Sequence, residues 1–239
     1  MCLSPQFDVV AGLAISVVAI DALWHCRNPR LLGLAALPAI FAVHTFSSAA
    51  VWLGLQGSLS ATVLDVATAS YLFVAFVMLP VYLPLAILVI EPRGWRRPTL
   101  LLLTAAGGYA AVEFMLAMAS GRGSAVACDG YIDFSVASTS SYSAVLYVLA
   151  TCGALLLSGQ RILFIWGVTN IVAVGALSMW ASRGLPSLWC LWAACSSVFV
   201  AWYLRRLTKG RAAGNPWPWE PVTGGLDRQR RGPDTGPDP

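Results

Sequence analysis

Seven apolar runs dominate this sequence, at about 8–26, 31–55, 61–90, 98–120, 141–158, 161–182 and 187–205. Several exceed the roughly 18–20 residues that a helix needs to cross a bilayer. Hydrophobic residues make up 58% of the chain and charged ones 11%, against roughly 25% charged in a soluble domain. The expected fold is all-α, a seven-transmembrane helix bundle in the cell membrane. Only Gly159 and Gln160 separate the fifth and sixth runs, which predicts a tight helical hairpin.

Basic residues set the expected orientation, because cytoplasmic loops concentrate Lys and Arg. Arg27, Arg30, Arg93, Arg96, Arg97, Arg161, Arg205, Arg206, Lys209 and Arg211 fall on one side, against Arg122 and Arg183 on the other. The alternation predicts an outside N-terminus and a cytoplasmic C-terminus. The net charge of +4 is thus a topology signal, and no nucleic-acid partner is expected. The opening MCLSPQFD has no Lys or Arg, which argues against a cleaved signal peptide. Residues 1–208 are expected to form the helical domain. The Pro-, Gly- and charge-rich 209–239 segment is expected to be a disordered tail, with Trp217 and Trp219 suited to the membrane interface.

Ionisable side chains within a span are rare and usually face the bundle interior or a cavity. Asp21, His44, Asp65 and Glu113 qualify. At 1.5 Å per residue, Glu113 lies roughly 10 Å below the outer end of its helix, His44 roughly 15 Å and Asp65 roughly 6 Å. Asp21, beside His25 and Arg27, reads as an interfacial ion pair. Tyr71 and Tyr109 share the depth of His44. Asp65, Thr68 and Tyr71 share one helix face, as do Tyr109 and Glu113 at i, i+4. Trp52, Trp166, Trp180, Trp189 and Trp192 add aromatic surface, and Asn170 lies near mid-membrane. The plainer reading of each polar group is an interhelix hydrogen bond or, for Asp65, solvation near the surface. The sharper reading is a polar, aromatic pocket open toward the outer leaflet. In it Glu113, Asp65 and His44 are the candidate catalytic groups. Tyr71, Tyr109, Trp52, Trp166 and Asn170 are the candidate substrate-binding groups. An acid in an apolar pocket suits general acid work or a proton relay.

Other features bear on shape. Pro38, Pro80 and Pro84 interrupt their helices, and LPVYLPLAI predicts a kink with freed carbonyls. Gly107 and Gly108 let a neighbour pack closely. The long outer connection 121–140 suits a lid, with Asp129 and Asp133 as solvated loop charges. Cys2, Cys128 and Cys190 are the cysteines placed for an outer disulfide, or else they are small apolar side chains. With His25 and His44 as the only histidines and no Cys/His spacing, no metal site is expected. No organic cofactor is expected either. Lys209 is the only lysine, so the helices offer none for a retinal Schiff base. There is no Walker loop, HExxH or G-x-S-x-G.

Several stretches resemble an uncharacterised bacterial multi-pass membrane family: MCLS, LAALPAIFAVH ending at His44, LPVYLPLAILVIEP followed by Arg96–Arg97, ATCGALLLS and SLWCLWAACSS. The resemblance spans most of residues 1–205 and implies no assigned activity. It also implies a Gln after the histidine and a Glu four residues past it, where this chain has Thr45 and Ser48. A second resemblance is architectural: small seven-helix integral-membrane terpene cyclases have about this length and helix count. It implies an intramembrane carboxylic acid that protonates an isoprenoid, with aromatic faces stabilising cations.

The leading expectation is therefore a membrane-embedded enzyme acting on a lipidic or isoprenoid substrate by acid-initiated cyclisation. The alternative is a small transporter or ligand-sensing protein using the same polar cluster for binding or proton coupling, with Asn170 and Asp21 extending the path inward. A structural partner subunit is the third reading. The expected partners are the lipid bilayer and a lipophilic small molecule.

Overall fold

The computed structural model describes residues 4–128, 131–137, 140–180 and 185–220. Helix α1 covers Pro5–Trp24. Ser4 caps it, its Oγ accepting from Phe7 N at 3.1 Å, and Pro5 occupies a first-turn position where its missing N–H costs nothing. A 3₁₀ turn at Pro29–Leu31 leads into α2, Leu32–Leu55. That helix stops at Gly57, whose φ of 76° is left-handed, and Ser58 N closes on Leu53 O at 2.8 Å. Helix α3, Ala61–Ile90, runs for 30 residues and widens into a π-helical stretch at Phe73–Met78. Pro80 follows immediately. Its ring and missing N–H cannot fit a regular α ladder, and a π-bulge absorbs the misfit. Helix α4 covers Arg96–Ala119, α5 Ser141–Leu156, α6 Arg161–Trp180 and α7 Leu185–Ala212.

Among the described residues, Pro5–Trp24, Pro29–Leu55, Ala61–Ile90 and Arg96–Ala119 are each long and apolar enough to cross a bilayer. Tyr142–Leu156 and Arg161–Leu177 are shorter apolar helices. The fold is helical and of membrane type, and among the described residues four of the seven expected spans have full length. Length explains the difference for α5: its 16 residues reach only about 24 Å at the helical rise, short of the roughly 30 Å hydrocarbon core.

The 121–140 connection, expected as a loop, contains an antiparallel hairpin. Strand β1, Gly123–Cys128, pairs with β2, Tyr131–Val136. Alternation along β2 turns Ile132 and Phe134 inward, where they are fully buried against Val51, Trp52, Ala67, Tyr71 and Leu72. This small core closes one end of the bundle. Buried Asp8 joins α1 to α2 there by accepting from Ser48 Oγ at 2.7 Å.

The opposite end is rich in arginine and tied by polar contacts. Arg205 on α7 grips Asp21 on α1, with Nε to Oδ2 at 2.8 Å. Asp21 does form an ion pair, but its main partner comes from the far end of the chain rather than from Arg27. Buried Glu91 accepts from Gly159 N at 3.1 and 3.0 Å, pinning the α5–α6 turn to the end of α3. Arg96 adds an ion pair to the same carboxylate at 3.6 Å. The last helix continues past the expected boundary to Ala212, and Trp217 is buried against the main core. Residues 221–239 of the expected tail lie outside the described residues, as do Cys2, Asp129 and Arg183. The side chains of Trp180, Trp189 and Cys190 also lie outside them.

One close approach shapes the middle of the bundle. The carbonyl of Pro80 would ordinarily accept from the N–H four residues on, but that residue is Pro84. Helix α4 comes so close to this freed carbonyl that a Cβ on Gly107 would stand 1.9 Å from the oxygen. Gly108, its neighbour, faces open space. The glycine pair therefore works through one member only.

Candidate functional site

The site is a cavity of 210 Å³ between α2, α3, α4, α5 and α6, lined by His44, Tyr71, Phe76, Phe114, Tyr147 and Cys152 among others. Its polar groups come from different helices. His44 on α2 and Tyr71 on α3 are both buried, and their rings stack with centroids 3.9 Å apart. Phe134 of the hairpin stacks on the other face of Tyr71 at 3.5 Å. Three parallel rings thus connect hairpin to cavity wall. On the far wall, Thr151 donates to Tyr147 O at 2.8 Å, which satisfies the hydroxyl within its own helix. Phe76, Phe114 and Tyr147 form a mutually tilted aromatic set, with centroids 5.2 to 6.4 Å apart.

Phe76 lies within the π-helical stretch of α3. The π-helical stretch that precedes Pro80 thus supplies part of the cavity wall. The lining residues Ala144 and Val148 on α5 are exposed. The cavity therefore has a side mouth at this face of α5, and Val174 of α6 joins its lining.

A second, smaller cavity of 40 Å³ lies deeper and shares Tyr147 and Thr151 with the first. Trp166 and Asn170 line it. Trp192 Nε1 donates to Asn170 Oδ1 at 2.7 Å, and Asn170 Nδ2 donates to Trp166 O at 2.8 Å. Trp166 Nε1 in turn donates to Ser196 Oγ at 3.3 Å. This chain of hydrogen bonds locks α6 to α7.

The expected site residues therefore separate. His44 and Tyr71 meet in the main cavity, and Trp166 and Asn170 meet in the lesser one. Trp52 is packed in the core beneath the hairpin. Asp65 is exposed, Tyr109 is exposed, and Glu113 is half-buried; none of the three belongs to the lining of either cavity. The reason lies in the face that α4 turns inward. Gly107, Ala110, Ala111, Phe114 and Ala117 are its buried residues, small enough to let neighbouring helices close in. Tyr109 points away from that face and Glu113 flanks it. Phe114, the next residue along, reaches the cavity instead.

Tyr147, Thr151 and Cys152 were not among the expected site residues. Tyr147 and Thr151 stand at i, i+4 in the middle of α5, the same spacing that drew attention to Tyr109 and Glu113. Among the described residues no group of three or more His, Cys, Asp or Glu is placed to hold a metal.

A family of unknown function, DUF6629, has a sequence model that matches residues 1–214. The chain belongs to DUF6629. The resemblance of its motifs to an uncharacterised family pointed the same way. The DUF6629 match takes in both cavities, the hairpin and the seven helices among the described residues, and stops just short of Trp217. No curated protein and no solved structure matches the chain.

Proposed function

We propose that this protein is a multi-pass cell-membrane enzyme that draws a lipophilic substrate, of isoprenoid type, into the His44–Tyr71–Tyr147 cavity. All seven helices cross the membrane in this reading, short α5 doing so by local thinning of the bilayer, with the N-terminus outside and the arginine-rich end in the cytoplasm. The contacts that gather the α1–α2, α3–α4 and α5–α6 connections with the end of α7 support that arrangement. The observation that carries the functional reading is the cavity itself: aromatic, almost wholly apolar, and open sideways beside α5. A lipophilic molecule can reach it from the acyl chains without passing through water. Its 210 Å³ is below the roughly 300–1,000 Å³ of sites for drug-sized ligands. The occupant is therefore a short molecule or the end of a longer prenyl chain.

The chemistry that fits is an acid-initiated cyclisation. A proton adds to one alkene carbon, a second alkene closes a carbon–carbon bond onto the resulting cation, and a proton is lost at the end. The product is an isomer, so no redox partner is consumed. The faces of Phe76, Phe114 and Tyr147 would stabilise the cation. His44 is the imidazole in the wall and would pass the proton, and Glu113, outside the lining but one residue from Phe114, would supply it. The test is mass spectrometry of lipid extracts from membranes fed prenyl substrates, for wild type, His44→Gln and Glu113→Gln. Loss of the cyclised product in both variants supports the scheme. Unchanged product in both refutes the acid chemistry. A folded wild-type protein that co-purifies with no lipophilic molecule refutes the binding reading itself.

One observation favours the transport alternative. The two cavities abut at Tyr147 and Thr151, so a rotamer change of Tyr147 would join them. Asp21, the inward continuation that transport called for, is instead clamped by Arg205.

A further inference from the structure

The arginine-rich end holds a cleft of 500 Å³ far from the His44 cavity. Three arginines line it from three separate segments. Arg30 stands in the 3₁₀ turn before α2, Arg93 in the α3–α4 connection and Arg97 in the first turn of α4. None of them forms an ion pair among the described residues. The two carboxylates in the lining are engaged elsewhere. Glu91 is held by Gly159 N and Arg96. Glu220 accepts from Arg211 Nη1 at 3.0 Å and from Trp217 N at 3.1 Å. The cleft therefore carries a concentrated positive charge with no internal counter-charge assigned to it.

The segment after α7 builds one wall. Trp217 is buried in the core and stacks on Trp219 with centroids 5.4 Å apart. The Arg30 guanidinium lies 5.6 Å over the Trp219 ring. These contacts anchor the segment beside the cleft. Guanidinium forks match the geometry of phosphate oxygens, and Trp favours the headgroup level of a bilayer. Basic pockets at the ends of membrane helices are suited to acidic lipid headgroups.

We propose that this cleft binds a phosphate ester, carried by the headgroup of an anionic phospholipid. The full-length protein is purified in detergent and titrated with phosphatidylglycerol or phosphatidylcholine, with bound lipid counted by native mass spectrometry. Wild type is expected to retain phosphatidylglycerol in preference to phosphatidylcholine. Each Arg→Gln change at Arg30, Arg93 or Arg97 is expected to weaken retention about fivefold. Arg122→Gln, at the hairpin end, is expected to leave it unchanged. Equal retention by wild type and the Arg30/Arg93/Arg97 triple variant overturns the proposal. So does an equal loss in Arg122→Gln, which would make the effect one of bulk charge. Should the triple variant fail to fold, Arg93→Gln decides, since that side chain is exposed on a connection. A parallel arm measures thermal stabilisation by inorganic phosphate. Stabilisation by phosphate with no preference for phosphatidylglycerol overturns the lipid as the source and assigns the cleft to a free phosphate compound.

Discussion

The sharpest consequence of the packing concerns Gly107. A methyl group there would sit 1.9 Å from the Pro80 oxygen and 2.7 Å from its carbonyl carbon, with Ala150 Cβ at 3.0 Å closing the other side. Carbon and oxygen in contact need about 3.3 Å. Helices α3 and α4 would have to part by about 1.4 Å, the difference between that separation and the built distance. The carbonyl cannot swing into its own helix for relief, because Pro84 offers no N–H. Overpacking of this kind costs about 1–3 kcal/mol and occasionally more. Alanine regains up to about 1 kcal/mol of helix propensity over glycine. Taking the upper end of the clash, Gly107→Ala is expected to destabilise the protein by about 2 kcal/mol net. Gly108→Ala supplies the control. It meets nothing within 4 Å, so only the propensity gain of up to about 1 kcal/mol remains. Unfolding of both variants in mixed micelles, followed by circular dichroism against rising denaturing detergent, gives the comparison. Equal midpoints for the two variants would refute the contact between Gly107 and the freed carbonyl.

Four further outcomes follow from the same packing. Phe134→Ala empties the space over Tyr71 and is expected to cost about 3–5 kcal/mol in thermal or detergent unfolding; a wild-type midpoint would mean the hairpin does not seal that end. Glu91→Ala strands the Gly159 N–H and is expected to cost about 1–3 kcal/mol, with Glu91→Gln, which keeps an acceptor, costing less in the same assay. Ala144→Trp should plug the side mouth and lower the amount of any co-purifying lipophilic molecule while leaving the unfolding midpoint near wild type. Burial raises the Cys26 thiol above its usual range. The reactive thiolate is then scarcer at any given pH, so maleimide labelling of Cys26 should begin at a higher pH than for a model thiol.

Much of the architecture is legible in the chain because it follows from local rules. Apolar run length announces α1 to α4, since a bilayer leaves the backbone little besides helix. Pro80 and Pro84 announce a distortion, because ring closure removes a donor wherever it occurs. Ser4 and Ser60 cap α1 and α3 through local side-chain hydrogen bonds. The alternating arginines announce which connections share an end, and the contacts of Asp21, Glu91 and Arg30 join those connections.

What the chain alone left undecided is which way each helix turns. Tyr109 and Glu113 share a face by spacing, but only packing against α3 and α5 makes Phe114 the inward residue. Small residues on α4 win that choice, because close approach at Gly107 sets the rotation of the whole helix. The same holds for Glu91. In sequence it is one charge in a loop; in the fold it is buried and pins a turn 68 residues away. The hairpin is the third case. Residues 121–140 look polar and irregular, and β2 becomes a strand only because Ile132 and Phe134 find an apolar floor in Val51, Ala67 and Tyr71. Depth in the membrane follows from counting residues, whereas the meeting of His44, Tyr71 and Tyr147 around one cavity required helices to be packed, because rotation about a helix axis is fixed by neighbours and not by rise.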